Sequence, residues 1–298
     1  MLKNNSLLWI VYGVLFLALI LIFFFWMEKD SPENVNSVIF SYPSEEISFA
    51  WESVPMWEND YRNKQRFDKE FLNTSNNLYQ FYLYVKRYPL YKDYMREQLE
   101  VYSIPDDFMY LPIAESALRN DVVSSAWAGW IWQFMPETAK IYGLRVDDEI
   151  DERYHFEKAT VAAMQYFTKL YEDFWDWALV AAAYNRWENG LRRDMQSQWI
   201  DNYFDLYLNE ETSRYVFRIL AIKYVMQSYF EKQDFINTMI GGVYSKPETK
   251  TITVWQIDDL RAWSIDNGYK YTDIKELNAW ILGNTIPAGS WEILVVDV

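Results

Sequence analysis

Apolar and polar positions divide this chain into stretches of different period. Residues 7–27 contain 21 positions without a charge, which as a helix span about 31 Å, the thickness of a bilayer's hydrocarbon core. They read as an uncleaved transmembrane helix. A signal peptide's apolar region runs about 7–15 residues to a small-x-small site, and Phe23-Phe24-Phe25-Trp26-Met27 offers none. Residues 31–55, with Ser31-Pro32, Tyr42-Pro43 and Val54-Pro55, show little periodicity and predict an extended linker. Between 59 and 100, Phe67, Phe71, Leu78, Phe81, Leu83, Val85 and Tyr91 recur at spacings of three and four, predicting two or three amphipathic helices.

Ile104-Pro105-Asp106-Asp107 has the form of a helix start, with proline in the first turn and acids at the positive end of the dipole. That helix would carry Tyr110 to Leu118, with Glu115 near its C-terminal end. Further helices are predicted over 136–142, 156–174, 177–185 and 212–230. No strand-like stretch interrupts them. The tail differs: 251–254 and 291–296 have the β-branched content of short strands, with a helix over 274–281 between them. The organisation predicted is an anchor over 1–30, a linker and helical lead-in over 31–95, a mainly α domain over 96–240 and a small α+β extension over 241–298.

Charge and composition narrow the chemistry. A formal net charge of −15 argues against a nucleic-acid or anionic-lipid surface, which would want clustered Lys and Arg. The absence of cysteine excludes disulfides, thiolate metal sites, a cysteine nucleophile and a lipidated N-terminal Cys. Lys3 precedes the first apolar stretch and Glu28, Lys29 and Asp30 follow it. This bias puts the N-terminus in the cytoplasm and the bulk of the chain outside the cytoplasmic membrane. The acidic run Asp147, Asp148, Glu149, Asp151 and Glu152 lacks the glycine and closing glutamate of a calcium loop, so it reads as a solvated loop. His155, the one histidine, can form no histidine-rich zinc site. No metal or cofactor is expected.

The densest pattern starts at Glu115-Ser116. Ser124 follows nine positions after Glu115, Gln133 at eighteen and Met135 at twenty, within Trp132-Gln133-Phe134-Met135-Pro136, and Ala183-Tyr184-Asn185 closes the set. In these motifs the chain resembles the Slt-type lytic transglycosylases, most of all the membrane-bound lytic murein transglycosylase D group. The resemblance implies a lysozyme-like (goose-type/Slt) fold and cleavage of the β-1,4 bond between N-acetylmuramic acid and N-acetylglucosamine in peptidoglycan. It implies Glu115 as the sole acid and then base, with a 1,6-anhydromuramic acid product. Ser116, Ser124, Gln133, Phe134, Met135, Tyr184 and Asn185 would be substrate-binding residues. The apolar run Tyr110-Leu111-Pro112-Ile113-Ala114 suits such an acid, because apolar surroundings disfavour a carboxylate and raise its pKa. The implied partners are peptidoglycan glycan strands and, through 7–27, the cytoplasmic membrane. Leu277-Asn278-Ala279-Trp280 and Ile286-Pro287-Ala288-Gly289 resemble, more faintly, a LysM glycan-binding module; a helical packing extension is the alternative. A hydrolytic muramidase of goose-lysozyme type and an inactive peptidoglycan-binding protein are the rival functions.

Four departures run in one direction. The family pattern S-x-x-G-A-x-G-L-W-Q-F-M-P has glycine where this chain has Trp127 and Trp130. Trp187 stands at the glycine of A-Y-N-x-G, and Trp175 where the group has G-D-W. The chain has 15 Trp and 9 Gly, about 3% Gly against a usual 7%. A single cause would be UGA codons read as glycine in the cell of origin and rendered here as tryptophan, leaving Trp132 and Trp177 genuine. The alternative is a divergent, Trp-rich protein with a reshaped cleft.

Overall fold

A computed structural model of the chain describes residues 39–44, 46–56, 61–119 and 131–297. The 7–27 stretch, Ser124, Trp127 and Trp130 lie outside these residues. Among the described residues no helix is long and apolar enough to cross a membrane.

The segment predicted as an extended linker folds back in part. Strands β1 (Ser48–Phe49) and β2 (Glu52–Ser53) form a two-residue antiparallel hairpin, and Ile47, Phe49, Val54 and Met56 are buried. The linker reading fails here because alternate apolar residues on so short a hairpin all find core. The Phe49 ring lies 5.9 Å from Phe108. The Ala50 N–H donates to Asp107 Oδ2 at 2.7 Å, and Lys223 Nζ donates to the Ser48 carbonyl at 3.0 Å.

Three lead-in helices follow: α1 (Tyr61–Asn76), α2 (Leu78–Arg87) and α3 (Lys92–Val101). On α1, Asn63, Phe67, Glu70 and Phe71 share one buried face, at the three-and-four spacing that brings helical side chains together. A 3-10 turn, Asp106–Tyr110, leads into α4 (Leu111–Ser116). After it come α5 (Pro136–Ile141), α6 (Phe156–Phe174), α7 (Trp177–Arg186), α8 (Glu188–Gln198), α9 (Glu210–Glu231) and α10 (Gln233–Ile240). The periodicity reading passed over α8, a polar helix whose buried residues are Gly190 and Leu191.

Helix α9 is the axis of the bundle. It buries Tyr215, Val216, Phe217, Ile219, Leu220, Ile222, Val225 and Met226, and a helix apolar on most faces is stable only when surrounded. It packs on α1, α4 and α7. Asn209 caps it, accepting from the Thr212 N–H at 2.9 Å. Helix α7 buries every residue from Trp177 to Ala183, four of them alanines, so α6 and α9 can approach its backbone closely. Buried Glu70 of α1 is paired by Arg214 and Arg218 of α9, the latter at 3.4 Å.

The C-terminal unit is β3 (Thr249–Val254), α11 (Leu260–Asp266), α12 (Tyr271–Leu277) and β4 (Trp291–Val296), with β3 and β4 antiparallel in register from Thr249↔Val296 to Val254↔Trp291. The helix predicted over 274–281 is therefore shorter and preceded by a second one. Its core of Ile257, Leu260, Ile274, Trp280, Ile281, Ile286, Ile293 and Val295 is completed by Ile150 from the acidic run. That run is not a simple solvated loop. Buried Asp151 pairs with Arg153 at 2.6 Å, and buried Glu152 accepts from the Arg145 N–H at 2.8 Å.

Asp107 joins the hairpin to α9, since its carboxylate also pairs with Lys223 at 2.7 Å. Asp107→Ala leaves that ammonium and the Ala50 N–H without their partner in a mostly buried setting, and should cost about 3 kcal/mol. Urea unfolding of the two chains checks it; a loss within error of zero contradicts the bracing role.

Candidate active site

Glu115 is the penultimate residue of α4, a helix too short to hold its position unaided. Ala117 and Leu118 turn sharply at φ 57° and 55°, and Arg87 Nη1 donates to the Ala117 carbonyl at 3.1 Å. Buried Ser116 fastens the other side, its Oγ lying 3.1 Å from the carbonyls of both Pro112 and Ile131. The serine read as substrate-binding thus faces inward and clamps 131–135 to α4.

That clamped segment carries Gln133, Phe134 and Met135. Trp132 beneath it is buried, its Nε1 donating to Thr160 Oγ1 at 3.0 Å, and its carbonyl accepts from the Tyr184 hydroxyl at 2.6 Å. Arg153 Nη1 donates to the Phe134 carbonyl at 2.9 Å. The end of α7 supplies Tyr184 and Asn185. Asn185 Oδ1 accepts from Thr212 Oγ1 at 2.9 Å, and its Nδ2 donates to Glu211 Oε1 at 3.3 Å.

The result is a cleft of about 270 Å³ lined by Glu115, Gln133, Phe134, Met135, Thr138, Tyr166, Tyr184, Asn185, Trp187 and Glu211. Six of the eight residues selected from the sequence line it. Ser116 lies behind the wall and Ser124 is outside the described residues. Thr138, Tyr166, Trp187 and Glu211 of the lining went unselected, as did Tyr215 behind it. Glu211 has no spacing signal, because α9 is far along the chain. Tyr166 is one aromatic among many on α6. Tyr215 lies on α9, and its hydroxyl's target became visible only in the fold.

That target is Glu115. The buried Tyr215 hydroxyl donates to Glu115 Oε1. Burial pushes the Glu115 carboxyl from the ordinary 4.5 up to about 7; the Tyr215 hydrogen bond and the Arg218 charge oppose the rise, and Glu211 adds to it. Glu115 is half-buried, so it is shielded yet reachable from the cleft. A carboxyl with a pKa near 7 holds its proton in part at neutral pH, so it can give a proton and take one back at one point. His155 lies elsewhere: it stacks on Trp280 at 5.8 Å, and burial pushes its pKa down to about 4. Among the described residues no cluster of acidic side chains or histidine is arranged to hold a metal.

Residues 93–203, which supply most of this cleft, match the family described as "Transglycosylase SLT domain". Over these residues the chain carries an SLT domain. It is 26% identical over 208 residues to membrane-bound lytic murein transglycosylase D of Escherichia coli K12, and equally to that of E. coli O6:H1. The match covers 68% of this chain and 44% of each relative, so the chain spans less than half the length of these curated relatives. An inactive mutant of lytic transglycosylase Slt from Pseudomonas aeruginosa is similar over 48% of this chain and 24% of its own, at 16% identity and a TM-score of 0.37. The SLT match agrees with the mainly helical, lysozyme-like architecture anticipated from the motifs.

The raised Glu115 pKa has a definite sign for stability. The fold favours the protonated carboxyl, so its contribution is full below about 4.5 and is lost as pH rises to about 7. Glu115→Gln should flatten that part of the stability profile, and denaturant midpoints between pH 4 and 8 test it. Tyr215→Phe removes a bond to the carboxylate and should move the Glu115 titration further up, read by carbon-13 NMR of the side-chain carboxyl; a downward move contradicts the assignment.

Proposed function

We propose that this chain is a peptidoglycan lytic transglycosylase in which Glu115 alone carries both proton transfers. The observation that carries the reading is a cleft-lining carboxyl that accepts from the Tyr215 hydroxyl and whose pKa burial raises to about 7. Glu115 donates its proton to the glycosidic oxygen between N-acetylmuramic acid and N-acetylglucosamine, and the C1–O bond breaks. The neighbouring N-acetyl group supports the electron-poor C1. The Glu115 carboxylate then takes the proton of the muramic acid C6 hydroxyl as O6 bonds to C1. The acid is regenerated, no water is consumed and a 1,6-anhydromuramic end results. Gln133, Met135, Tyr184 and Asn185 hold the sugars, and the half-buried rings of Tyr166 and Tyr184, 5.5 Å apart, offer an apolar wall. Ser124 is assigned the sugar contact its position in the motif implies.

Glu211 favours one rival. A second carboxylate in the same cleft is what a hydrolase needs to activate water. Its hydrogen bond from Asn185 ties that carboxylate to a sugar-holding residue, which supports a binding role instead. The 7–27 stretch is assigned to the cytoplasmic membrane with the SLT domain outside, and the β3–α11–α12–β4 unit to a LysM-like role in holding glycan.

Purified sacculi digested with this protein should yield anhydro ends as the main product by mass, with Glu115→Gln losing at least a hundredfold in rate while its circular dichroism is unchanged. Reducing muramic ends as the main product would overturn the transglycosylase reading in favour of hydrolysis through Glu211. Protease added to spheroplasts should remove the SLT domain; full protection contradicts the orientation.

A further inference from the structure

Nine of the ten described tryptophans fall into two groups. Trp132, Trp177, Trp263, Trp280 and Trp291 behave as tryptophans do. Trp132, Trp177 and Trp280 are buried, Trp177 stacks on Tyr171 at 4.2 Å, Trp263 on Tyr269 at 6.0 Å, and Trp291 Nε1 donates to the Pro287 carbonyl at 2.8 Å. None of these has a positive φ. Trp51, Trp175, Trp187 and Trp199 are 76%, 74%, 52% and 94% exposed, and all four have positive φ, at 70°, 55°, 71° and 58°. Trp255 is exposed with ordinary backbone, so exposure alone does not produce the second group.

Each position in the second group does a glycine's work. Trp175 ends α6 in the left-handed region, its N–H donating to the Tyr171 carbonyl at 2.8 Å, before Asp176 caps α7 by accepting from the Leu179 N–H. Trp199 ends α8 likewise, and the Ile200 N–H also reaches the Met195 carbonyl at 3.2 Å, the double closure typical of a helix ending on glycine. Trp51 is the second central residue of the hairpin turn, after Ala50 at φ 51°, where two positive φ values call for a residue such as Asn and then Gly. Trp187 joins α7 to α8 at φ 71° and ψ 130°, outside even the left-handed helical region and open in practice to glycine alone. Elsewhere the chain fills the same role with glycine, at Gly143 past α5, Gly241 at the end of α10 and Gly268 past α11, with φ of 83°, 72° and 78°.

A β-carbon in these conformations meets the carbonyl oxygen beside it, and an exposed indole recovers little by burial. Trp175 has a ring neighbour, Tyr171 at 5.8 Å, yet remains mostly in water. Trp51 and Trp199 lie outside the motif set, so backbone geometry selects them independently of family resemblance. We infer that the protein made in its own cell carries glycine at 51, 175, 187 and 199, from UGA codons read there as glycine, and that its cleft is open where Trp187 now forms a wall. The last clause rests on the transglycosylase reading. Trp187 lines the cleft beside Asn185 and Glu211, and a residue without a side chain there lets a glycan chain run on past Asn185. Residue 187 then decides how many sugars the cleft engages.

Tandem mass spectrometry of peptides from the protein isolated from cells that carry the gene tests the assignment without any activity. Glycine is expected at all four positions and tryptophan at 132, 177, 263, 280 and 291; tryptophan at the four overturns it. Recombinant chains give a second readout. Trp175→Gly and Trp199→Gly should each raise Tm by roughly 2–4 °C, whereas Trp132→Gly lowers it; a fall for the first two contradicts the backbone argument. For the cleft, Trp187→Gly is compared with the unchanged residue, both in a Glu115→Gln background, by calorimetric titration with tri- and hexa-N-acetylchitooligosaccharide. A gain of about tenfold or more for the hexamer over the trimer, seen only with glycine, is the expected result. Equal gains for both sugars, or none, overturn the lengthened cleft. Failure of both chains to bind either sugar overturns the substrate reading and the cleft clause with it, while the peptide masses decide the glycine assignment on their own.

Discussion

The hydrogen bond from Tyr215 to Glu115 joins residues a hundred positions apart and sets what the fold has to achieve. A carboxyl packed this closely tends to neutralise, because low-dielectric surroundings penalise its charge. The tyrosine and the more distant Arg218 restore part of that charge's stability, and the balance leaves the group near the middle of its titration at neutral pH. Helix α9 must therefore be central and straight enough to carry Glu211, Tyr215 and Arg218 past α4 in register, which explains why it is the helix buried on most faces.

The short helix α4 is the complementary device. A helix of six residues has little stability of its own, so its position depends on Ser116, Arg87 and the 3-10 turn that leads into it. Through Ser116 and Tyr184 the segment 131–135 is held to both α4 and α7. Glu115 and the cleft wall thus belong to one hydrogen-bonded frame, and a shift of either helix would displace Gln133 and Met135 together.

The positive-φ tryptophans show what the fold needs at its corners. Helix α7 follows α6 through Trp175 and Asp176, and α8 follows α7 through Trp187 alone; turns this short need positive φ at the joint. One of those joints opens on the cleft, so a demand of backbone geometry also shapes the site.

The local pattern determined the helical class, the limits of α6 and the approximate extents of α4, α5, α7 and α9, because apolar spacing, capping residues and proline act within a few positions. The motif around Glu115 selected six of the residues lining the cleft for the same reason: Gln133, Phe134 and Met135 are contiguous, and Tyr184 and Asn185 end a strongly apolar helix. Tertiary structure alone decided the rest. The hairpin at 48–53 is core because Phe108 and Asp107 receive it, not because of its own pattern. Asp151 and Glu152 are buried because Arg153, Arg145 and Lys158 meet them. Ser116 faces inward although its spacing matches a sugar-site motif, and Tyr215 and Glu211 join the site because α9 crosses α4. Contacts between segments a hundred residues apart leave no period in a sequence, so pairings of this kind become legible only when the chain is folded.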